Sequence, residues 1–308
     1  MKRDKARIWT DKHLDKMERK LKKIYRKSAK GIYKSFEQFM LDAQKELKRY
    51  EYIYTAQLNK DVDTTGIEKQ IQRKKEEIIL RNQAYKDMID GVTTELAETN
   101  TTALAYINGQ MPSIYRNNYN QMQAEASRAG VKFNIVSEDV VKRRILDGDI
   151  KLPKKRINIP KDKRWNTKQL NSSVLQGILQ GESMETIAKR ILPIVNNNAN
   201  ASIRNARTMV TGAENQGRSD SYKRLESDGA IIVKEWVATD DDRTRIAHRQ
   251  LDGQSVRPDE MFVDMDGNEL EYPGDPNGAP ETVYNCRCTM VGHVAGYKGA
   301  NGYKWNPL

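Results

Sequence analysis

The C-terminal part of the chain contains a small set of residues that can bind a metal ion. Both cysteines of the chain lie in one Cys-Arg-Cys tripeptide at 286–288. Residues two apart in a strand point to the same face, so the two sulfurs are expected to project together. A disulfide between them would close a very small, strained ring and is disfavoured. Two thiolates supply half of a tetrahedral zinc shell. The candidate ligands are Cys286, Cys288, His248 and, in the fourth position, Asp240, Asp242 or water.

The same residues allow other interpretations. A buried thiol pair is often only a small apolar filler. A cysteine nucleophile with His248 as its base is a second possibility, but no segment marks an oxyanion hole. The acids 240–242 on Mg²⁺ would suit a nuclease, although acids after a strand also form turns. The zinc deaminase pattern does not fit, because His248 is followed by Arg-Gln and the cysteines are one residue apart.

Two predicted strands position these groups. Ala230–Ala238 has the apolar, β-branched character of a strand and runs into the acids at 240–242. Cys286–Val294 alternates well enough to be a closing strand. The segment 259–280 between them is rich in Gly, Pro, Asp and Asn and is predicted to be mostly loop. The tail from Gly296 is polar and glycine-rich, so we expect it to be flexible.

The N-terminal half is predicted to consist of long amphipathic helices, because its apolar residues recur at helical spacing. The pattern predicts one long helix or two abutting helices over 11–58, then a polar loop at 61–66 and a second helix from Ile67 to about Ile107. A turn is predicted at Asn108-Gly109, and a third helix over Met111–Ala129 with Gly130 as its C-cap. Two long apolar stripes joined by a short loop favour an antiparallel hairpin.

The middle of the chain is predicted to form shorter helices on either side of a basic linker. Ser137 is a plausible N-cap for a helix that ends at Leu146. Proline and self-repelling charge predict a linker at 147–165. Further helices are predicted at 171–180, at 183–193 before an Asn-rich loop at 196–200, and at 201–227 before Asp228-Gly229.

Charge points to polyanionic partners. The 308 residues carry 53 Lys and Arg against 42 Asp and Glu, and the net charge is +10 over 1–50 and +8 over 142–168. Basic blocks of this kind attract nucleic acid without sequence specificity, although they also occur as solvated helix faces. The candidate DNA contacts are Lys142, Arg143, Arg144, Lys154, Lys155 and Arg156.

Low hydropathy and the small number of cysteines exclude several protein classes. Mean hydropathy is −0.82, and no apolar run approaches the roughly 20 residues of a membrane span. The basic N-terminus has no apolar stretch behind it, so we expect no signal peptide. Two cysteines do not make a disulfide framework, which favours a reducing compartment.

The expected fold is mainly α, with a long N-terminal helical hairpin, a helical middle and a small α+β C-terminal module. We expect an elongated helical region at 1–146, a basic linker at 147–165, a C-terminal domain at 166–295 and a flexible tail at 296–308.

Several C-terminal motifs occur together in an order that resembles one known family. They are Trp236 with the strand that contains it, D-x-x-R-T-R-x-x-H at 240–248, L-D-G at 251–253, P-G-D-P at 273–276 and N-C-R-C at 285–288. Their order and spacing resemble the C-terminal signature of phage minor head proteins, the Mu F-like head morphogenesis family. The helical segment with Ala206-Arg207-Thr208, Glu214, Asn215 and Arg218 also fits, but Met209 stands where many relatives carry an acid. The resemblance covers about 166–294.

The resemblance implies a structural role in virion assembly and no enzymatic activity. Such proteins join the head in few copies near the portal vertex, contact portal, capsid or scaffold subunits, and lie beside packaged DNA. It also implies that the residues of these motifs hold the C-terminal module together. The residues so assigned are Trp236, Arg243, Arg245, Asp252, Gly253, Asn285 and Arg287. A metal-dependent nuclease or another hydrolase is the alternative, and a DNA-binding regulator ranks last because no compact helix-turn-helix is apparent.

Overall fold

Three long helices and a small antiparallel sheet dominate the part of the chain that is described. The computed structural model describes residues 4–58, 73, 83–127, 135–152, 158–299 and 302–305. The helices are α1 (Lys5–Leu58), α2 (Gln83–Ser127), α3 (Glu138–Leu146), α4 (Ile159–Leu170), α5 (Gln176–Leu179), α6 (Met184–Ser227), α7 (Ile246–Leu251) and α8 (Pro280–Val283). The strands are β1 (Ala230–Val237), β2 (Ser255–Val256), β3 (Phe262–Val263), β4 (Glu269–Leu270), β5 (Thr289–Gly299) and β6 (Gly302–Trp305). The predicted fold class, mainly α with a small α+β C-terminal module, is confirmed.

The first long helix follows its apolar stripe. Met17, Leu21, Tyr25, Ile32 and Phe36 recur at helical spacing and are all buried. The predicted helical stretch is therefore confirmed, and of the two alternatives it forms one long helix, α1, which already begins at Lys5. The polar loop predicted at 61–66 lies outside the described residues.

The predicted antiparallel hairpin is confirmed by the order of contacts between α1 and α2. The Phe39 ring packs against Tyr85 with ring centroids 5.7 Å apart. The hydroxyl of Tyr25, earlier in α1, donates to Asn100, which is later in α2. Early residues of one helix thus meet late residues of the other.

The turn predicted at Asn108-Gly109 is wrong. The helix α2 continues through both residues and through Pro112 to Ser127. Ile107 and Met111 are buried on either side of the predicted break, and this burial outweighs a helical glycine, which costs about 1 kcal/mol. The part of the second helix predicted at 67–72 and 74–82, and Gly130 as a C-cap, lie outside the described residues.

The predicted basic linker is helical at its C-terminal end. Ser137 caps α3 as predicted, because its side chain accepts from the N–H of Val140. The next helix, α4, begins at Ile159, with Pro160 in its first turn, where a missing N–H costs no hydrogen bond. A π-helical turn at Asn171–Leu175 joins α4 to α5.

The predicted helix end at Pro193 and the Asn-rich loop at 196–200 are also wrong. The helix α6 runs from Met184 through both to Ser227. Asn198 is buried and donates to Asn166 Oδ1 over 2.9 Å, so this part of the sequence is packed and not solvated. The break at Gly181, with φ +67°, and the stop at Gly229, with φ +99°, match the predictions.

The chain divides into two compact units. The first comprises Met1–Arg19, Ala105–Lys155 and Ile203–Leu308, and the second comprises Lys20–Leu104 and Arg156–Ser202. Each unit is assembled from distant parts of the sequence, because the long helices contribute to both. The boundaries predicted for a helical region, a linker and a C-terminal domain remain a proposal.

The first unit contains a four-stranded antiparallel sheet of order β2-β1-β5-β6. Alternate residues of β1 are buried, and Trp236 at its end is fully enclosed. A separate hairpin pairs β3 with β4 and places Phe262 edge-on against Trp236, with centroids 5.3 Å apart. The segment predicted as loop therefore contains two short paired strands.

Two predictions at the C-terminal end need correction. The closing strand begins at Thr289, so the Cys-Arg-Cys tripeptide precedes β5 and does not lie in it. Residues predicted as a flexible tail form paired strands, since β5 extends to Gly299 and pairs with β6. Among the described helices, none has the length and apolar character needed to cross a bilayer.

Candidate metal centre

His248 and the two cysteines converge in the first unit. The Nδ1 atom of His248 lies 3.6 Å from Cys286 Sγ and 3.5 Å from Cys288 Sγ. The three side chains are 1–2% exposed. Among the described residues, they are the only set of three or more His, Cys, Asp or Glu side chains close enough to share a metal ion. The cluster contains two thiol sulfurs and one imidazole nitrogen, the donor types that zinc prefers.

The strand end and the L-D-G motif position His248. After β1 the chain turns and enters α7, and Asp252 Oδ1 accepts from the N–H of Ala238 over 2.8 Å. Gly253 has φ +79°, and its N–H donates to the carbonyl of Trp236 over 2.9 Å. These bonds tie the C-terminal end of the His248 segment back to the end of β1. Asp252 and Gly253 thus both make hydrogen bonds that fix this turn, and their structural role remains a prediction.

A special backbone conformation positions the cysteines. Asn285 has φ +58°, and among the described residues it is the only non-glycine with positive φ. Its N–H donates to Thr208 Oγ1 over 2.8 Å. The carbonyl of Cys286 accepts from Thr211 Oγ1 over 2.8 Å. The bend turns both sulfurs inward without a strand, so the predicted convergence is present for another geometric reason.

The arginine between the cysteines points away from them. Arg287 donates through both terminal nitrogens to the Asp241 carboxylate, and Nη2 lies 2.6 Å from Oδ1. Hydrogen bonds from Arg287 lower the pKa of Asp241 well below its usual range. Thr239 Oγ1 donates to the Arg287 carbonyl over 2.7 Å. Contacts to both the side chain and the backbone carbonyl of Arg287 thus hold the tripeptide in place.

The D-x-x-R-T-R motif does not place an acid at the predicted fourth ligand position. Asp240 and Asp242 are exposed and lie outside the cluster, so neither is placed as its fourth ligand. Arg243 lies nearest Asp241, with 3.9 Å between Nη2 and Oδ2. Arg245 donates to the carbonyl of Tyr284. The motif therefore acts mainly through Asp241 and through contacts with the cysteine segment.

Burial and mutual hydrogen bonding shift the pKa values of the two thiols in opposite directions. A hydrogen bond from Cys286, helped by His248, lowers the pKa of Cys288. The same pairing and full burial raise the pKa of Cys286 well above its usual range, because a second negative charge there is unfavourable.

Nε2 of His248 and Nε1 of Trp236 are buried without hydrogen-bond partners among the described residues.

The P-G-D-P motif has a packing role. Gly274 has φ +79°, and a Cβ there would lie 2.9 Å from the backbone nitrogen of Gly212 in α6. Asp275 is buried and accepts from the N–H groups of Glu271 and Asn277 over 3.0 and 2.8 Å. Asn215 Nδ2 donates to the Pro273 carbonyl over 3.1 Å. The motif therefore fixes a tight turn against α6.

Sequence reasoning missed a buried charge network. Arg218 is fully enclosed, donates to both carboxylate oxygens of Asp4 and lies 3.4 Å from Glu214. Arg7 donates to Glu214 over 2.7 Å and to the carbonyl of Arg287 over 2.9 Å. The resemblance marked Glu214 and Arg218. No local signal indicated Asp4 or Arg7, which are about 200 residues away in the sequence. Met209 is buried, so an apolar contact occupies that position.

A buried lysine was also missed. Lys234 in β1 donates to the carbonyls of Pro258 and Glu271 over 3.2 and 2.8 Å, and its ammonium group lies 5.1 Å above the Phe262 ring. Burial lowers the pKa of Lys234 to about 8. The alternation of β1 could have predicted an inward-facing side chain there, but not its partners.

Half of the predicted DNA contacts can be placed. Lys142 lies 3.0 Å from Glu138, Arg144 lies 4.0 Å from Asp149, and Arg143 is exposed. Two of these three cations therefore have acidic neighbours. Lys154, Lys155 and Arg156 lie outside the described residues.

Comparison with known proteins adds independent evidence. Residues 168–291 match the family described as Phage Mu protein F like protein. The minor head protein GP7 of Bacillus phage SPP1 is 26% identical over 222 residues, 70% of each chain. An Enterococcus faecalis protein named NAD(+)--arginine ADP-ribosyltransferase EFV is 32% identical over 127 residues. That match covers 41% of this chain but only 26% of the enterococcal protein.

The family match lies where the motifs suggested it. It covers the cluster residue His248, the motifs from Trp236 to P-G-D-P and the cysteine tripeptide. No solved structure matches the chain. The resemblance to the Mu F-like phage minor head proteins is therefore confirmed, and it is strongest over residues 168–291.

Proposed function

We propose that this protein is a non-enzymatic minor head protein that acts in phage head morphogenesis inside the virion. The main support for the proposal is that side chains of the family motifs bond to other parts of the fold. Asp241, Arg287, Asp252 and Arg218 all form hydrogen bonds within the fold, as residues that hold a module together would. The likeness to the SPP1 minor head protein supports the same role.

We further propose that the protein binds the portal oligomer or the inner capsid surface near the portal vertex. The test is co-expression with the portal protein and, separately, with the major capsid protein of its phage. We expect co-purification with the portal oligomer and presence of the chain in isolated procapsids. Its absence from both complexes and particles would contradict an assembly role.

The DNA part of the proposal is supported by one face of α1. Between residues 20 and 34 there are seven cations and no acidic residue. All seven are exposed, and no ion pair of theirs is found within the described part of the chain. They are Lys20, Lys22, Lys23, Arg26, Lys27, Lys30 and Lys34. A helix face of this charge can contact several phosphates without reading sequence.

Salt-dependent binding tests this surface. We expect affinity for duplex DNA to fall by two or more orders of magnitude between about 50 and 200 mM salt. The triple variant Lys23→Glu/Lys27→Glu/Lys30→Glu should weaken binding and reduce the salt slope. A variant with the same charge change at scattered exposed positions, Lys86→Glu/Lys168→Glu/Arg204→Glu, is the control. Equal loss in both variants would mean that net charge, not the α1 face, governs binding.

The enzyme alternative has weaker support. The acids 240–242 do not form a metal-binding group among the described residues. The cysteines and His248 are enclosed, so a hydrolase would have to open before a substrate could reach them. The enterococcal match spans a quarter of that protein, which leaves most of its length outside the comparison. Incubation with plasmid and Mg²⁺ or Mn²⁺, and with NAD⁺ and an arginine substrate, should give no turnover. Turnover abolished by Asp241→Asn or His248→Ala would overturn the proposal.

A further inference from the structure

We propose that His248, Cys286 and Cys288 bind one zinc ion, which fastens the cysteine segment to the helix that follows β1. This inference is independent of the head-assembly role. It rests on the identity of three donors, on the distances between them and on their enclosure.

The distances fit a shared tetrahedral ion. Zinc lies about 2.3 Å from a thiolate sulfur and about 2.0–2.1 Å from an imidazole nitrogen, so two such ligands at the tetrahedral angle are separated by about 3.6 Å. The observed separations of Nδ1 from the two sulfurs are 3.5 and 3.6 Å. All three donor atoms lie within 4.8 Å of one another. Binding therefore requires little rearrangement.

The surroundings favour a metal over a bare thiol pair. The cluster brings two sulfurs to the same imidazole nitrogen, which can form only one strong hydrogen bond at a time. The cysteine segment is held in a sparsely populated backbone conformation at Asn285, with φ +58°. A shared ion would use both sulfurs and the nitrogen together.

The chemistry of binding is simple. Both cysteines coordinate as thiolates, so their protons leave to solvent when the ion enters. His248 coordinates as the neutral imidazole through Nδ1. Among the described residues, no fourth His, Cys, Asp or Glu belongs to the cluster, and a water molecule completes the shell.

Two segments close together in space but 38 residues apart in sequence would be linked by this ion. His248 belongs to α7, while Cys286 directly follows the turn after α8. The linkage would act beside the Asp241–Arg287 pair, which fastens the same cysteine segment to the loop that precedes α7. Loss of the ion should therefore lower the stability of the first unit without removing its other contacts.

The test is metal analysis of the full-length chain purified under reducing conditions without chelators. We expect about one zinc per chain, with loss of zinc in Cys286→Ser/Cys288→Ser and in His248→Ala. His293→Ala is the control, because His293 pairs with Glu235 and lies outside the cluster. Circular dichroism checks that each variant is folded.

A second measurement on the wild-type chain covers the case in which the variants do not fold. Titration with a mercurial thiol reagent should release zinc in step with modification of the two thiols. Replacement by Co²⁺ should produce the thiolate charge-transfer and ligand-field bands of a tetrahedral site. A folded chain with two free thiols, only trace zinc and a Tm that neither added zinc nor a chelator changes would overturn the proposal.

Discussion

Arg287 and Asp241 form a two-point ion pair that holds the Cys-Arg-Cys tripeptide against the loop after β1. Both terminal nitrogens of Arg287 donate to the carboxylate, and Thr239 in the same loop donates to the Arg287 carbonyl. The side chain that separates the cysteines in sequence therefore anchors them from outside while both sulfurs face inward. This arrangement explains why an arginine can stand between two residues that share one buried site.

Replacing Asp241 should weaken the module. Asp241→Asn removes the charge and one acceptor of the paired contact, so Tm is expected to fall by several degrees. The neighbouring Asp240→Asn is the matched control, because Asp240 is exposed, and it should leave Tm unchanged. The lowered pKa of Asp241 means that its contribution is present above the ordinary aspartate pKa of about 4 and is lost as pH falls below it. In thermal melts, the Tm difference between wild type and Asp241→Asn should be largest near pH 7 and should shrink progressively as pH falls below 4.

Removing the buried Arg218 should cost far more than removing a surface arginine. Arg218→Met leaves Glu214 and Asp4 with less compensating charge and should destabilise by about 3–5 kcal/mol. Arg224→Met, which breaks an exposed pair with Asp228, should change stability by less than about 1 kcal/mol. Urea unfolding measures both.

A double variant separates charge from packing in this network. Arg218→Met/Glu214→Gln removes both members of a fully buried pair, so its loss should be smaller than the sum of the two single losses. Strict additivity would mean that the Arg218 contacts with Asp4 and the Met290 carbonyl carry the effect instead.

Two glycines of long helices should respond in opposite directions to alanine. A Cβ at Gly217 in α6 would lie 2.5 Å from the carbonyl oxygen of Tyr115 in α2, so Gly217→Ala should destabilise by about 1–3 kcal/mol. A Cβ at Gly109 would meet nothing within 4 Å, and Gly109→Ala should stabilise by about 0.5–1 kcal/mol. Equal effects in urea unfolding would contradict the close helix contact.

Lys234 should make stability depend on alkaline pH. Because burial lowers its pKa from 10.5 to about 8, the unfolded chain binds more protons between these values, and stability rises with pH through that window. The gain is of order 3 kcal/mol at most. Lys234→Met should lack this rise, while the exposed control Lys86→Met should keep it. Unfolding free energies measured from pH 7 to 10 give the comparison. If wild type and Lys234→Met showed the same dependence of stability on pH, a lowered pKa for Lys234 would be contradicted.

The sequence by itself determined the elements whose signals are local. The apolar stripe of α1, the alternation of β1, the Ser137 cap and the stops at Gly181 and Gly229 were all readable, because side-chain spacing and backbone freedom act over a few residues. The family motifs and the convergence of the two sulfurs could also be predicted. The zinc ligand set remains a prediction.

Only the tertiary structure decided where weak local preferences are overridden and which distant charges meet. Asn108-Gly109 and the Asn-rich stretch at 196–200 carry loop signals of about 1 kcal/mol per residue, and burial of neighbouring side chains outweighs them. The choice of Asp241 over Asp240 for Arg287, and the meeting of Asp4 with Arg218, depend on three-dimensional proximity. Residues 214 positions apart leave no trace in spacing, because their attraction exists only after the helices have packed.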